Sequence, residues 1–146
     1  MDEIVWFQYS LEEMQSHSAA FPPYLQAWLN WMTALQFASF VILIFNRHNR
    51  LLQVVAAAAF ANYVVGYPIA ATFGPVRLLA LGHVLFWAPA LIYVLSRWRE
   101  ISWKTVAGVY LALWLVTTAI SVPIDVVELV RYFVLGETEF IYPRVS

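Results

Sequence analysis

The chain has 146 residues, of which 62% are hydrophobic, 17% aromatic and only 12% charged, with a formal net charge of −1. A water-soluble domain is nearer half apolar and a quarter charged, so this composition excludes a soluble monomer, and it excludes a disordered chain too. The near-zero charge supplies no basic field for nucleic acid. The absence of cysteine removes disulfides, thiolate nucleophiles and Cys-ligated metal centres.

The first element in chain order is a short N-terminal segment, residues 1–22. It carries Asp2, Glu3, Glu12 and Glu13 but no Lys or Arg, so it lacks the basic start of a secretory signal. Ser10-Leu11-Glu12-Glu13 has the form of a capping box, a serine with a glutamate three residues on. Phe7, Leu11 and Met14 then share one face, which predicts a short amphipathic helix lying on the membrane surface. Pro22-Pro23 ends it and opens the next element.

Four stretches follow that contain no Asp, Glu, Lys or Arg: Tyr24–Phe45, Leu51–Val76, Leu78–Ser96 and Thr105–Ile124. A helix needs roughly 20 apolar residues to cross the hydrocarbon core, and each stretch supplies about that number. Barrel strands would be about half as long and would alternate, whereas Val54-Val55-Ala56-Ala57-Ala58-Ala59-Phe60-Ala61 does not. The fold class expected is therefore all-α, a polytopic four-helix antiparallel bundle forming one membrane domain over 1–146. Its spans are predicted at about 24–45, 51–75, 77–96 and 103–125, with 126–146 as a helix extension and tail. Gly136 is the expected stop of that extension.

The loop at 46–50 and the loop at 97–104 hold five of the eight Lys and Arg residues, and every acid except Glu100 lies on the other side. The positive-inside rule then predicts both loops in the cytoplasm and both termini outside. Trp98 and Trp103 fit an inner aromatic belt, and Tyr24 with Trp28 an outer one.

Within the spans, polar residues are few enough to read one by one. In the second span Ala58, Asn62, Gly66 and Ala70 recur every four residues, which predicts a close helix-packing seam with Asn62 hydrogen-bonded across it. In the first span Asn30, Thr33, Gln36 and Ser39 wind around half the helix rather than forming one face. In the fourth, Thr118, Ser121, Asp125, Glu128 and Tyr132 fall within about 80° of one another at about 100° per residue. That stripe is a candidate polar pathway or ligand contact, together with Arg77 and His83 of the third span. Antiparallel register predicts an Arg77–Asp125 ion pair, and it sets His83, about 9 Å deeper, against Tyr67 and Thr117.

No catalytic residue is assigned, because no phosphate loop, metalloprotease helix or nucleophile elbow occurs. No metal site and no cofactor are expected; His17 and His48 lie outside the spans, so they offer no second axial ligand to a haem on His83. The partners expected are the lipid bilayer and other membrane subunits or a second copy of the chain, with no nucleic acid. Two functions remain. One is a non-catalytic accessory or scaffold subunit of a membrane complex. The alternative is a homo-oligomeric channel or transporter for an ion or small solute, its pore formed between copies, with an outer Arg/Asp/Glu cluster and a polar stripe on the fourth span.

Overall fold

The computed structural model describes residue 7, residues 10–73 and residues 77–137. The end of the predicted second span at 74–75, most of residues 1–9 and the tail from 138 fall outside the described residues. Among the described residues five main helices follow in chain order: α1 (Leu11–Ala19), α2 (Pro23–Phe45), α3 (Arg50–Phe73), α4 (Arg77–Ser96) and α5 (Val106–Phe133). The last four are each long and apolar enough to cross a membrane. The chain is thus an all-α, multi-pass membrane protein, a four-helix bundle with one short amphipathic helix ahead of it.

Side-chain caps open α1, α3 and α5. The Ser10 hydroxyl accepts from the Glu13 amide (3.1 Å), and the Glu13 carboxylate accepts from the Ser10 amide (2.7 Å), so the capping box forms reciprocally at α1. At the other end of α1 the Gln26 side chain donates to the carbonyls of Ala19 (3.1 Å) and Phe21 (2.7 Å), which ties the corner at 20–22 to α2. Proline occupies the first turn of α2, where its missing amide costs nothing. Asn49 caps α3 by accepting from the amides of Leu51 and Leu52. Thr105 caps α5 by accepting from the Gly108 amide (3.0 Å). The carbonyl of Ser102 packs so tightly on Gly108 that no side chain fits there.

α4 departs from a regular helix. Arg77–Leu79 is a tight 3₁₀ turn, and His83–Trp87 is a wide turn closed by the Ala88 amide donating to the His83 carbonyl. Pro89 explains the widening. Its ring has no N–H and would clash with the carbonyl four residues back, so the preceding turn opens by one residue. α5 runs unbroken through Pro123 to Phe133, so the predicted extension at 126–135 is continuous with the fourth span. Gly136 adopts φ +69°, the left-handed conformation that glycine allows at low cost, and the chain turns back there.

The helices pack in a ring, α2 on α3, α3 on α4, α4 on α5 and α5 on α2, while α1 lies against α3. The half nearer the loops is solid. Leu52, Val55, Trp87, Val94 and Leu111 are almost completely buried there, with Trp114 and Tyr110 beside them. Lipid tails are as apolar as leucine, so close packing and interhelical hydrogen bonds hold such a bundle together. Several of those bonds run between helices. Tyr110 donates to the Leu35 carbonyl (2.8 Å), the Trp31 indole donates to Thr117 (3.0 Å), and the Asn62 amide donates to Gln36 (3.4 Å).

Candidate functional site at the α1 end of the bundle

The half nearer α1 is hollow. A cavity of about 430 Å³ lies between α1, α2, α3, α4 and α5, a size within the roughly 300–1,000 Å³ range of small-ligand pockets. Most of its wall is apolar: Met14 from α1, Leu25 and Leu29 from α2, Tyr63, Gly66 and Tyr67 from α3. Its polar side is built from four ionisable residues, Arg77 and His83 on α4 and Asp125 and Glu128 on α5.

These four form two separate pairs. Arg77, only 4% exposed, binds Glu128 and also lies 3.7 Å from Glu137. Arg131 approaches the same two carboxylates at 3.8 and 4.0 Å, so two arginines and two glutamates close a ring of ion pairs. Glu137 joins this ring because the turn at Gly136 brings it back over the helix end, where its amide donates to the Arg131 carbonyl (3.0 Å). His83 Nδ1 lies 3.0 Å from Asp125 Oδ2, and the Ser121 hydroxyl donates to the same oxygen at 3.1 Å. The His83 ring stacks on Trp87, with centroids 4.5 Å apart and planes 15° from parallel, so the imidazole is fixed from two sides.

The expected Arg77–Asp125 pair is therefore corrected: Arg77 takes Glu128 and Asp125 takes His83. His83 meets neither Tyr67 nor Thr117 in a hydrogen bond; Thr117 accepts from Trp31 instead. One physical reason accounts for the shift. Helical side chains lean toward their own N-terminus, so on antiparallel neighbours they lean toward each other along the axis. The partner then lies several residues beyond the one at the same Cα height. The reversal from Ser96 to Val106 keeps Arg77 level with Asp125, and the lean carries its contact on to Glu128.

The α5 stripe turns inward as one surface, although only part of it reaches the cavity. Asp125 and Glu128 line it, and Ser121 reaches it through Asp125. Thr118 is fully buried deeper in the bundle, and its hydroxyl has no hydrogen-bond partner among the described residues. The expected seam on α3 divides likewise. Ala58 and Asn62 are buried, and Asn62 bonds across to α2 as anticipated. Gly66 and Ala70 instead face the cavity, and a Cβ on Gly66 would meet nothing within 4 Å, so no tight seam exists there. The close approach belongs to Gly82 on α4, where an added Cβ would collide with the Asn62 side chain.

Gly82, Gln36, Glu137 and the Tyr63–Tyr67 wall were not singled out as site residues from the sequence. Gly82 had one readable signal, a lone glycine in an apolar span beside the only span histidine. Glu137 had none, because its position depends on the backbone reversal at Gly136. Among the described residues no three His, Asp or Glu side chains are grouped to hold a metal ion. No family model, curated protein or solved structure matches the chain.

Proposed function

We propose that the protein is a non-catalytic accessory subunit of a membrane assembly. In this reading the α2–α3 and α4–α5 loops face the cytoplasm, and α1 and the cavity lie on the outer side. The loop end carries Arg47, Arg50, Arg97, Arg99 and Lys104, all exposed, which supports that orientation. Exposed Trp98 and Trp103 at the same end suit a headgroup-level belt.

One observation carries the accessory reading over a homo-oligomeric channel. A pore between copies needs polar side chains on the outside of each copy, and the polar stripe of α5 is on the inside. Thr118 and Ser121 are 0% and 3% exposed, whereas Val109, Leu113, Val116, Ile120, Ile124 and Val127 cover the outward face. The solid loop half also argues against a passage within one copy, since Trp87, Leu52 and Leu111 fill its middle. An apolar groove between α3 and α4, lined by Ala57, Ala58, Ala61 and Ala90, gives an unrelated helix room for close approach.

Reconstitution of the purified chain into liposomes tests the choice. The account predicts ion and small-solute flux no greater than in protein-free vesicles, and a monomer in mild detergent. A conductance from the chain alone, altered by Ser121→Val, would replace the accessory reading with the channel.

A further inference from the structure

The charges at the cavity do not balance with fixed partners. Arg77 and Arg131 are matched by Glu128 and Glu137 in the ion-pair ring. Asp125 is left over. Its partners are a hydroxyl, Ser121, and an imidazole, His83, which is cationic only when protonated. The Asp125 side chain is 14% exposed, so its charge is largely removed from water. A carboxylate in such a place is costly unless a cation stands beside it. Next to it lies an open volume walled by Leu25, Leu29, Tyr63 and Tyr67, with Gly66 between the two tyrosines along α3 and contributing no side chain.

We infer that this cavity is a binding site for a cationic amphiphile, a protonated primary amine on an apolar body. The ammonium would sit against Asp125 beside His83, and the apolar body would lie between Leu29 and the Tyr63–Tyr67 wall. Aromatic faces add attraction for a cation in partly desolvated surroundings. An anionic head would meet Asp125 with like charge, and a neutral alcohol would leave the carboxylate uncompensated. The amine is carried either by a free molecule or by an aminolipid headgroup, since both present the same ammonium to the site.

The test is calorimetric titration of the full chain in phosphatidylcholine nanodiscs at pH 8, with empty nanodiscs subtracted, using octylamine, octan-1-ol and octanoate. Octylamine is expected to bind at least about tenfold more tightly than the other two, the margin of a charge-assisted contact over a neutral one. Asp125→Asn should remove that preference. His83→Gln should retain it, because Asp125 remains. Gly66→Phe should abolish binding of all three, because its Cβ enters open space and its ring occupies the cavity, with unchanged thermal unfolding identifying the folded variant. Including phosphatidylethanolamine in the nanodiscs separates the sources: a weakened octylamine isotherm identifies the headgroup as occupant, and an unchanged one identifies a free amine. Equal affinity for octylamine and octan-1-ol, or full octylamine binding by folded Asp125→Asn, would overturn the assignment.

Discussion

Gly66 and Gly82 show how one residue type carries opposite meanings in neighbouring helices. Sequence spacing marks Gly66 as the point of closest packing, because it continues the four-residue recurrence through Ala58 and Asn62. The periodicity does identify a face; it does not say what stands opposite. Opposite Asn62 stands Gly82, and opposite Gly66 stands open volume. Gly82→Ala should therefore destabilise the protein by about 1–3 kcal/mol, the usual cost of forcing extra volume into a packed contact. Gly66→Ala should be neutral or stabilise it by up to about 1 kcal/mol, since alanine is the better helix former and nothing obstructs it. Thermal unfolding of both variants in one detergent checks the contrast, and equal losses would restore the seam at Gly66. The ion pairs give a second contrast. Double-mutant cycles should find coupling of about 0.5–3 kcal/mol for Arg77 with Glu128 and for His83 with Asp125, and little for Arg77 with Asp125. A strong Arg77–Asp125 coupling would return the pairing that register alone suggests. The four ionisable residues were legible in the sequence because charge is rare in a span and must be explained. Their pairing was not, because it depends on how far the side chains of two antiparallel helices lean along the axis.

At the level of elements, the sequence is most informative where the signal is local. The charge-free stretches located all four spans, and the Ser10–Glu13 box located α1, because both capping partners lie within one turn. The predicted start of the fourth span at 103 falls three residues before α5 begins at Val106; residues 103–105 form the turn and cap that precede it. The wide turn at His83–Trp87 was not visible, although its cause, Pro89, was. A proline within a helix is compatible with a kink, a break or a widened turn, and tertiary packing selects among them. This turn sets the His83 ring on Trp87 and toward Asp125. α1 illustrates a different limit. Its helical form was readable, but its role as one wall of the cavity, through Met14 and Ser18, depends on the corner at 20–22 that Gln26 secures.

Across the whole molecule, the solid half and the hollow half divide the protein between support and site. The loop half holds most of the packed aromatic core, and the α1 half holds the cavity and the ionisable residues that line it. Orientation in the membrane is open to direct labelling, since the native chain has no cysteine to give background. Single cysteines at Asn49 and Ser102 should be shielded from an impermeant thiol reagent in intact cells, and one at Ser16 should react. The reverse pattern would place the cavity on the cytoplasmic side.

The polar stripe of α5 faces its own bundle, and the opposite face of the helix is apolar and outward. Spin labels placed singly along α5 and probed with oxygen and with a water-soluble nickel chelate test this most directly. High oxygen collision is expected at Leu113, Val116, Ile120, Ile124 and Val127, and low collision with both probes at Leu111, Trp114, Thr118 and Ser121. Nickel accessibility at Thr118 and Ser121, with the chain reconstituted alone, would mean that water lines this stripe, and the inward-facing arrangement would be contradicted.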